Sequence, residues 1–167
     1  MKVARELKFR GKRIDGGRWE YGQYFQTPLT DENSGAPPEA GWFFLDGETR
    51  HCIVRDTVSF VIDAKTLGQY TGLKDTNGTE IYEGDIVDFT YWWFDGNAAE
   101  SHLIGEVVYL PESMSYGLRG VKNADWIRHI GGQEGTSDTA PFATWRFCED
   151  DFAVIGNVYE PETQPKE

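Results

Sequence analysis

Residues 66–87 read TLGQYTGLKDTNGTEIYEGDIV, and the punctuation of this stretch decides the fold. Asn77-Gly78 is the strongest short-range hairpin signal, because a two-residue type I′ turn needs positive φ at both central positions. Tyr70, Thr71 and Leu73 precede it and Ile81 and Tyr82 follow, so β-favouring residues flank the turn on both sides. Glu83-Gly84-Asp85 punctuates again before Ile86-Val87-Asp88-Phe89-Thr90-Tyr91 opens a further strand. Gly84 is expected to supply positive φ, and Asp85 to bond its local backbone as an Asx-turn. The stretch therefore predicts a hairpin running into a third strand.

Outward from it, no run of ten residues carries a capped helical stripe. Aromatic residues make up 14% of the chain. With β-branched residues they fall in short runs bounded by Gly, Asn, Asp and Pro, the pattern of a β fold. Strands are expected over residues 7–10, 18–26, 41–45, 51–54 and 58–62. The signature hairpin supplies 69–73 and 79–82, and 86–92, 104–110, 116–121, 144–147 and 153–159 follow. Asp46-Gly47 is expected to turn the third strand into the fourth. The fold class is mainly β, with the strands from residue 66 onward closing into a small SH3-like barrel beside an amino-terminal β lobe. Residues 1–167 make one domain, with sub-lobes 1–65 and 66–160 and a frayed polar tail 161–167. Three stretches read as loops: 27–40, rich in Pro and Gly; 94–101, turning at Asp95-Gly96-Asn97; and 122–141, with Gly131-Gly132 and Gly135. Loops longer than about 12–15 residues in a compact domain are usually functional or disordered.

Three blocks resemble one family. Residues 5–13, RELKFRGKR, with the hairpin-like DGGRWEYG of 15–22, are similar to the opening of the YopX family of bacteriophage and prophage proteins. Residues 66–87 closely resemble that family's signature, and FAVIGNVYE, residues 152–160, its closing strand. The resemblance assigns structural roles to Gly68, Gln69, Tyr70, Gly72, Asn77, Gly78, Tyr82, Gly84, Asp85, Gly156 and Asn157. It implies a phage or prophage accessory protein with a YopX-like fold, and brings no established biochemical activity with it. The chain departs from the pattern over 27–45 and 120–148, and at Pro161, where the family usually has Asn.

Composition narrows the function classes. The 167 residues carry a net charge of −12, unevenly spread. Residues 1–20 hold seven Lys or Arg against three acids, and the remainder nine against twenty-five. An acidic body opposes nucleic-acid phosphate, while the small basic head suits an acidic surface, the body of a neighbouring copy included. The same lysines and arginines would also block edge pairing on a solvated strand. No apolar run reaches eighteen residues and the first residues are charged, so neither a membrane span nor a signal peptide is read. Cys52 and Cys148 are expected as reduced thiols in a bacterial cytoplasm.

The constellations that carry chemistry are thin. His51, Cys52, His102, His129 and Cys148 contain none of the close pairs that structural zinc recruits. His51 is expected exposed beside a buried Cys52, since neighbours in a strand face opposite ways. Glu149-Asp150-Asp151 reads as a charged turn rather than a cation site, and Ser113 and Ser115 lack a histidine that spacing can place. There is no nucleophile elbow, P-loop or dinucleotide fingerprint, and Gly131-Gly132-Gln133-Glu134-Gly135 opens no helix. Neither catalytic nor cofactor-binding residues are assigned, and no cofactor is expected. The surplus is aromatic: Trp92-Trp93-Phe94, Trp126, Trp145 and Phe147. Trp126, Ile127, Arg128 and Ile130 form the candidate contact cluster, because Trp, Tyr and Arg dominate protein-binding hot spots. The function expected is a non-enzymatic, protein-binding or self-assembling module, with a homo-oligomer or a host protein as partner. The alternatives are a nucleic-acid binder that stacks bases on aromatics and an acidic nucleic-acid mimic.

Overall fold

The computed structural model describes residues 6–28, 49–94, 98–120, 139–142 and 151–160. In chain order they form β1 (Phe9–Lys12), β2 (Trp19–Pro28), β3 (Thr49–Arg55), β4 (Val58–Val61), a 3-10 turn (Ala64–Thr66), β5 (Gly68–Lys74) and β6 (Glu80–Tyr82). After these come β7 (Asp85–Phe94), β8 (Ala98–Leu110), β9 (Ser115–Arg119), β10 (Thr139–Pro141) and β11 (Phe152–Asn157). The protein is mainly β and every registered strand pair is antiparallel. The chain divides into two compact units, residues 1–70 and 71–167.

In the first unit the strand order is β4-β3-β2-β1-β5. Strand β2 changes partners midway: Trp19 to Gly22 pair with β1, and Gln23 to Pro28 with β3. One face of this sheet buries Ile53, at 0% exposure, and Ile62, at 2%. Gly11 gives Ile62 room, since a Cβ there would lie 2.5 Å from its Cδ1. The 3-10 turn was not anticipated. Asp63 caps it through Oδ1 to the Lys65 N–H at 2.9 Å, and the Thr66 hydroxyl takes the Lys12 N–H at 2.8 Å.

In the second unit β5 continues beside β6, and a further sheet runs β10-β9-β8-β7-β11. Its core is Ile81, Val87, Phe89, Leu103, Val107, Leu118, Ala140 and Phe152. Phe89 and Phe142 pack on Phe152 with ring centroids 5.1 and 5.3 Å away. Each such side chain contributes about 1.5–3 kcal/mol by leaving water.

Several boundaries differ from the sequence expectation. Thr27 and Pro28 belong to β2 rather than to the first loop, because a proline is tolerated where a strand ends. Residues 98–101 are strand, not loop: Ala98 to Ser101 pair with Phe94 to Tyr91, so the partner's ladder carries a stretch of weak β propensity. Thr139–Pro141, the end of the supposed long loop, forms β10 against β9. The closing strand stops at Asn157, whose Oδ1 takes the Tyr159 N–H at 2.9 Å and turns the chain. The expected barrel is not seen: among the described residues β10 and β11 are edges of an open sheet and no pairing joins them. The expected strands 41–45 and 144–147 lie outside the described residues.

The signature turn is also of a different type. Gly78 has φ of 80°, but Asn77 is not in the positive-φ region, so the turn is not type I′. The Gly78 N–H reaches the Asp75 carbonyl at 2.9 Å and the Asp75 N–H the Thr79 carbonyl at 2.8 Å. That is the three-residue hairpin loop, a turn closed by a left-handed glycine. A Cβ on Gly78 would meet nothing within 4 Å, so the conformation alone selects glycine. Gly78→Val is expected to lower stability by about 1–3 kcal/mol through backbone strain. Urea unfolding of the variant measures it, and an unchanged midpoint would refute the assignment.

Candidate interaction surface

Strand alternation divides β2 into two different faces. Glu20, Gly22, Tyr24 and Gln26 point one way; Trp19, Tyr21, Gln23 and Phe25 point the other. On the first face Glu20 is buried, Gly22 and Tyr24 are half-buried and Gln26 is exposed. Glu20 is buried between Arg13 at 3.5 Å and Arg55 at 3.2 Å, and both guanidinium groups lie over the Phe60 ring, at 4.9 and 5.5 Å. Arg13 also bonds Asp15, which raises the guanidinium above its ordinary range and holds the Asp15 carboxyl below its own. Removing both arginines would leave the buried Glu20 charge uncompensated. The Tyr24 hydroxyl meets His51 Nδ1 at 2.6 Å and accepts from Gln26 Nε2 at 2.8 Å.

On the second face Trp19 is half-buried, whereas Tyr21, Gln23 and Phe25 are exposed. Tyr21 and Phe25 are each 37% exposed, and positions two apart on a strand repeat every ~7 Å. Beside this row lie half-buried Lys8, just before β1, and half-buried Lys12 within it, and between them Arg10, which is buried at 7% exposure. The Arg10 guanidinium carbon sits 4.8 Å and the Lys12 ammonium 5.3 Å from the centre of the Trp19 ring. A cation over an aromatic face is held electrostatically, by about 0.5–1 kcal/mol at exposed sites. The result is a pair of exposed rings, Tyr21 and Phe25, beside a half-buried Trp19 that packs on buried Arg10 and half-buried Lys12.

Charge follows the two units. Residues 1–70 hold ten Lys or Arg and ten Asp or Glu, whereas 71–167 hold six and eighteen. The second unit therefore carries the whole net −12.

The signature residues lie in the paired strands or in the turns that join them. Gly68, Gln69, Tyr70 and Gly72 lie in β5, with Gln69 and Gly68 paired to Phe9 and Arg10 of β1. Tyr70 and Tyr82 are buried. Gly84 has φ of 81°, as expected. Buried Asp85 accepts from the Tyr82 N–H at 2.8 Å, three residues back rather than forward as in an Asx-turn, and from Asn157 Nδ2 at 3.1 Å. Gly156 pairs with Ile86 just past a bulge in β11. The signature stretch and the closing block thus form one cluster.

Asp75 belongs to that cluster and was missed. Its Oδ1 accepts the N–H groups of Asn77 and Thr79, both at 2.8 Å, and Oδ2 that of Val154 at 3.2 Å. Burial alone would push this carboxyl up. The bonds from Thr79, Val154 and Asn77 outweigh burial and hold it below the ordinary 3.8. An Asp two residues before Asn-Gly was the available signal.

Of the metal candidates, His51 is buried, not exposed, because its face of β3 packs under Tyr24, whose ring stacks on it at 5.9 Å. Cys52 is buried as expected, and burial pushes its thiol up against the opposing Ser59 hydrogen bond and Arg50 charge. His102 lies in the other unit, 3.0 Å from Asp88. Among the described residues no three His, Cys, Asp or Glu are grouped to hold an ion. Ser113 Oγ meets Ser115 Oγ at 3.0 Å. Asp151 immediately precedes β11. Trp92, Trp93 and Phe94 are in β7, where only their backbone is described. Trp126, Ile127, Arg128, His129, Ile130, Trp145, Phe147, Cys148, Glu149 and Asp150 lie outside the described residues. No helix among the described residues is long and apolar enough to cross a membrane.

Fold and surface together define an antiparallel β protein of two units, with a cationic-aromatic sheet face on one and the net negative charge on the other. The YopX protein family model matches residues 8–163, and the chain belongs to that family. It is similar to protein EF1440 from Enterococcus faecalis, whose crystal structure aligns over 93% of this chain and 94% of that one. The identity is 21% and the TM-score 0.36. No curated protein matches.

Proposed function

We propose that this protein is a non-enzymatic accessory module of a phage or prophage, working in the bacterial cytoplasm through protein contacts, self-association among them. One observation carries the reading: Tyr21 and Phe25 stand exposed on one face of β2, in line with half-buried Trp19 and beside half-buried Lys8 and Lys12. Aromatic and cationic side chains on a paired, rigid strand are the composition of a protein-binding hot spot. The residues 126–130 would add a second contact element. Trp126→Ala is expected to leave the melting temperature unchanged and to weaken partner retention at least tenfold.

Affinity purification from infected cells, with tagged wild type beside a Tyr21→Ser, Phe25→Ser variant, tests the reading. Wild type is expected to recover untagged copies or a host protein that the folded variant loses. Nuclease-sensitive recovery of nucleic acid would overturn it. So would sub-micromolar affinity for labelled single-stranded DNA by anisotropy at physiological salt, where the acidic unit is expected to keep binding weak.

A further inference from the structure

The β5–β6 hairpin loop is closed along its backbone and open at its side chains. Asn77 is the only asparagine of the chain that is followed by glycine. Every N–H from Asp75 to Thr79 is committed. Asp75 donates to the Thr79 carbonyl at 2.8 Å, Thr76 to the Phe152 carbonyl at 3.0 Å and Gly78 to the Asp75 carbonyl at 2.9 Å. Asn77 and Thr79 donate to Asp75 Oδ1, both at 2.8 Å. Thr76, Asn77, Gly78 and Thr79 are nonetheless exposed, and a Cβ built on Gly78 would meet nothing within 4 Å. The Asn77 carboxamide therefore stands beside a peptide nitrogen that no β-carbon shields.

Such a pair can cyclise. The Gly78 nitrogen, its proton lost to base, attacks Asn77 Cγ. The N–Cγ bond forms, the Cγ–Nδ2 bond breaks, and ammonia leaves behind a five-membered succinimide. Water then opens the ring at either carbonyl to an aspartyl or isoaspartyl residue, so amide and water become carboxylate and ammonium with no oxidant or cofactor. We propose that Asn77–Gly78 is a self-modification site of this kind, and that Asp75 holds it shut. The Asp75 carbonyl keeps the Gly78 proton occupied. Its carboxylate fixes the N–H groups on either side of Gly78, which blocks the rotation that would bring the Gly78 nitrogen onto Cγ. The carboxylate charge also opposes a second anion on that nitrogen, as neighbouring like charges do. Reaction waits for the loop to open, a local event distinct from global unfolding. The isoaspartyl product routes the chain through the former side-chain methylene, so the loop lengthens and gains a carboxylate near Asp75. The bond from the Val154 N–H to Asp75 Oδ2 at 3.2 Å then loosens with it.

Incubation at mildly alkaline pH, followed by peptide mass mapping and isoaspartate labelling, tests this. In urea the chain is expected to convert at Asn77 well ahead of Asn157, whose next residue is the β-branched Val158. In native buffer conversion at Asn77 should be at least about tenfold slower, because opening of the loop then limits it. Asp75→Ala, shown folded by near-ultraviolet dichroism, should recover most of that difference. A wild type that converts as fast folded as in urea would overturn the proposal, and so would a folded Asp75→Ala that stays as slow as wild type. Amide hydrogen exchange on wild type gives an answer that needs no variant. The Gly78 amide should be protected by a factor similar to the slowing of conversion, and exchange at the rate of an open chain would show that Asp75 does not guard it. A chain that stays unconverted at Asn77 even in urea would remove the site altogether.

Discussion

Gly22→Ala should lower the stability of the first unit by about 3 kcal/mol, at the upper end of what overpacking costs. Gly22 is where β2 leaves β1 for β3, and the two backbones converge there. A Cβ would lie 2.0 Å from the Val54 carbonyl oxygen and 2.9 Å from its carbon. A side-chain neighbour could rotate aside, but a carbonyl in a ladder cannot move without giving up hydrogen bonds. The Gln23↔Val54 register is the first to suffer, and Phe25 on the proposed contact face moves with it. A loss of this size shifts the thermal midpoint by roughly 6–12 °C in a chain of this length. Differential scanning calorimetry reads it, and a midpoint within 1–2 °C of wild type, on the order of a neutral surface change, would show that the close approach does not exist.

Replacing Asp75 should have a comparable effect with a distinctive pH dependence. Asp75→Ala strips the acceptor from three backbone N–H groups. Leaving buried donors unpaired costs about 1–3 kcal/mol each when water cannot reach them, and partial hydration at the turn brings the expected total to about 3 kcal/mol. Asp75→Asn is more selective. Its one remaining acceptor oxygen can keep the turn, but an amide then faces the Val154 N–H and the tie to β11 is lost. The folded-state carboxyl is held below 3.8, so its contribution is fully present above the unfolded value, and is lost as pH falls through the folded one. Urea midpoints of wild type and Asp75→Asn should therefore differ at pH 7 and converge as pH falls below the ordinary carboxylate range. A gap that persists undiminished at acid pH would show that the charge of Asp75 is not what holds β11.

Much of this was legible in residue order. Short apolar and aromatic runs between glycines and asparagines announce a β protein, since turn chemistry and strand propensity act within a few residues. Gly78 and Gly84 have the positive φ that their positions suggested. The opening, signature and closing blocks mark the family that the match over residues 8–163 bears out. What went wrong shares one cause. The strand over residues 98–101 exists because β7 pairs with it, and the supposed exposure of His51 ignored Tyr24 on the neighbouring strand.

By itself, then, residue order determined the β class, the turns at Gly78 and Gly84 and the family. Each of these depends on backbone preferences that neighbouring side chains set locally. The type of the signature turn, the burial of His51, the partner of Asp75 and the open face of β2 were decided by tertiary structure. The bond from Val154 to Asp75 spans 79 residues. No local propensity encodes a contact at that separation, because it forms only after the strands between have paired.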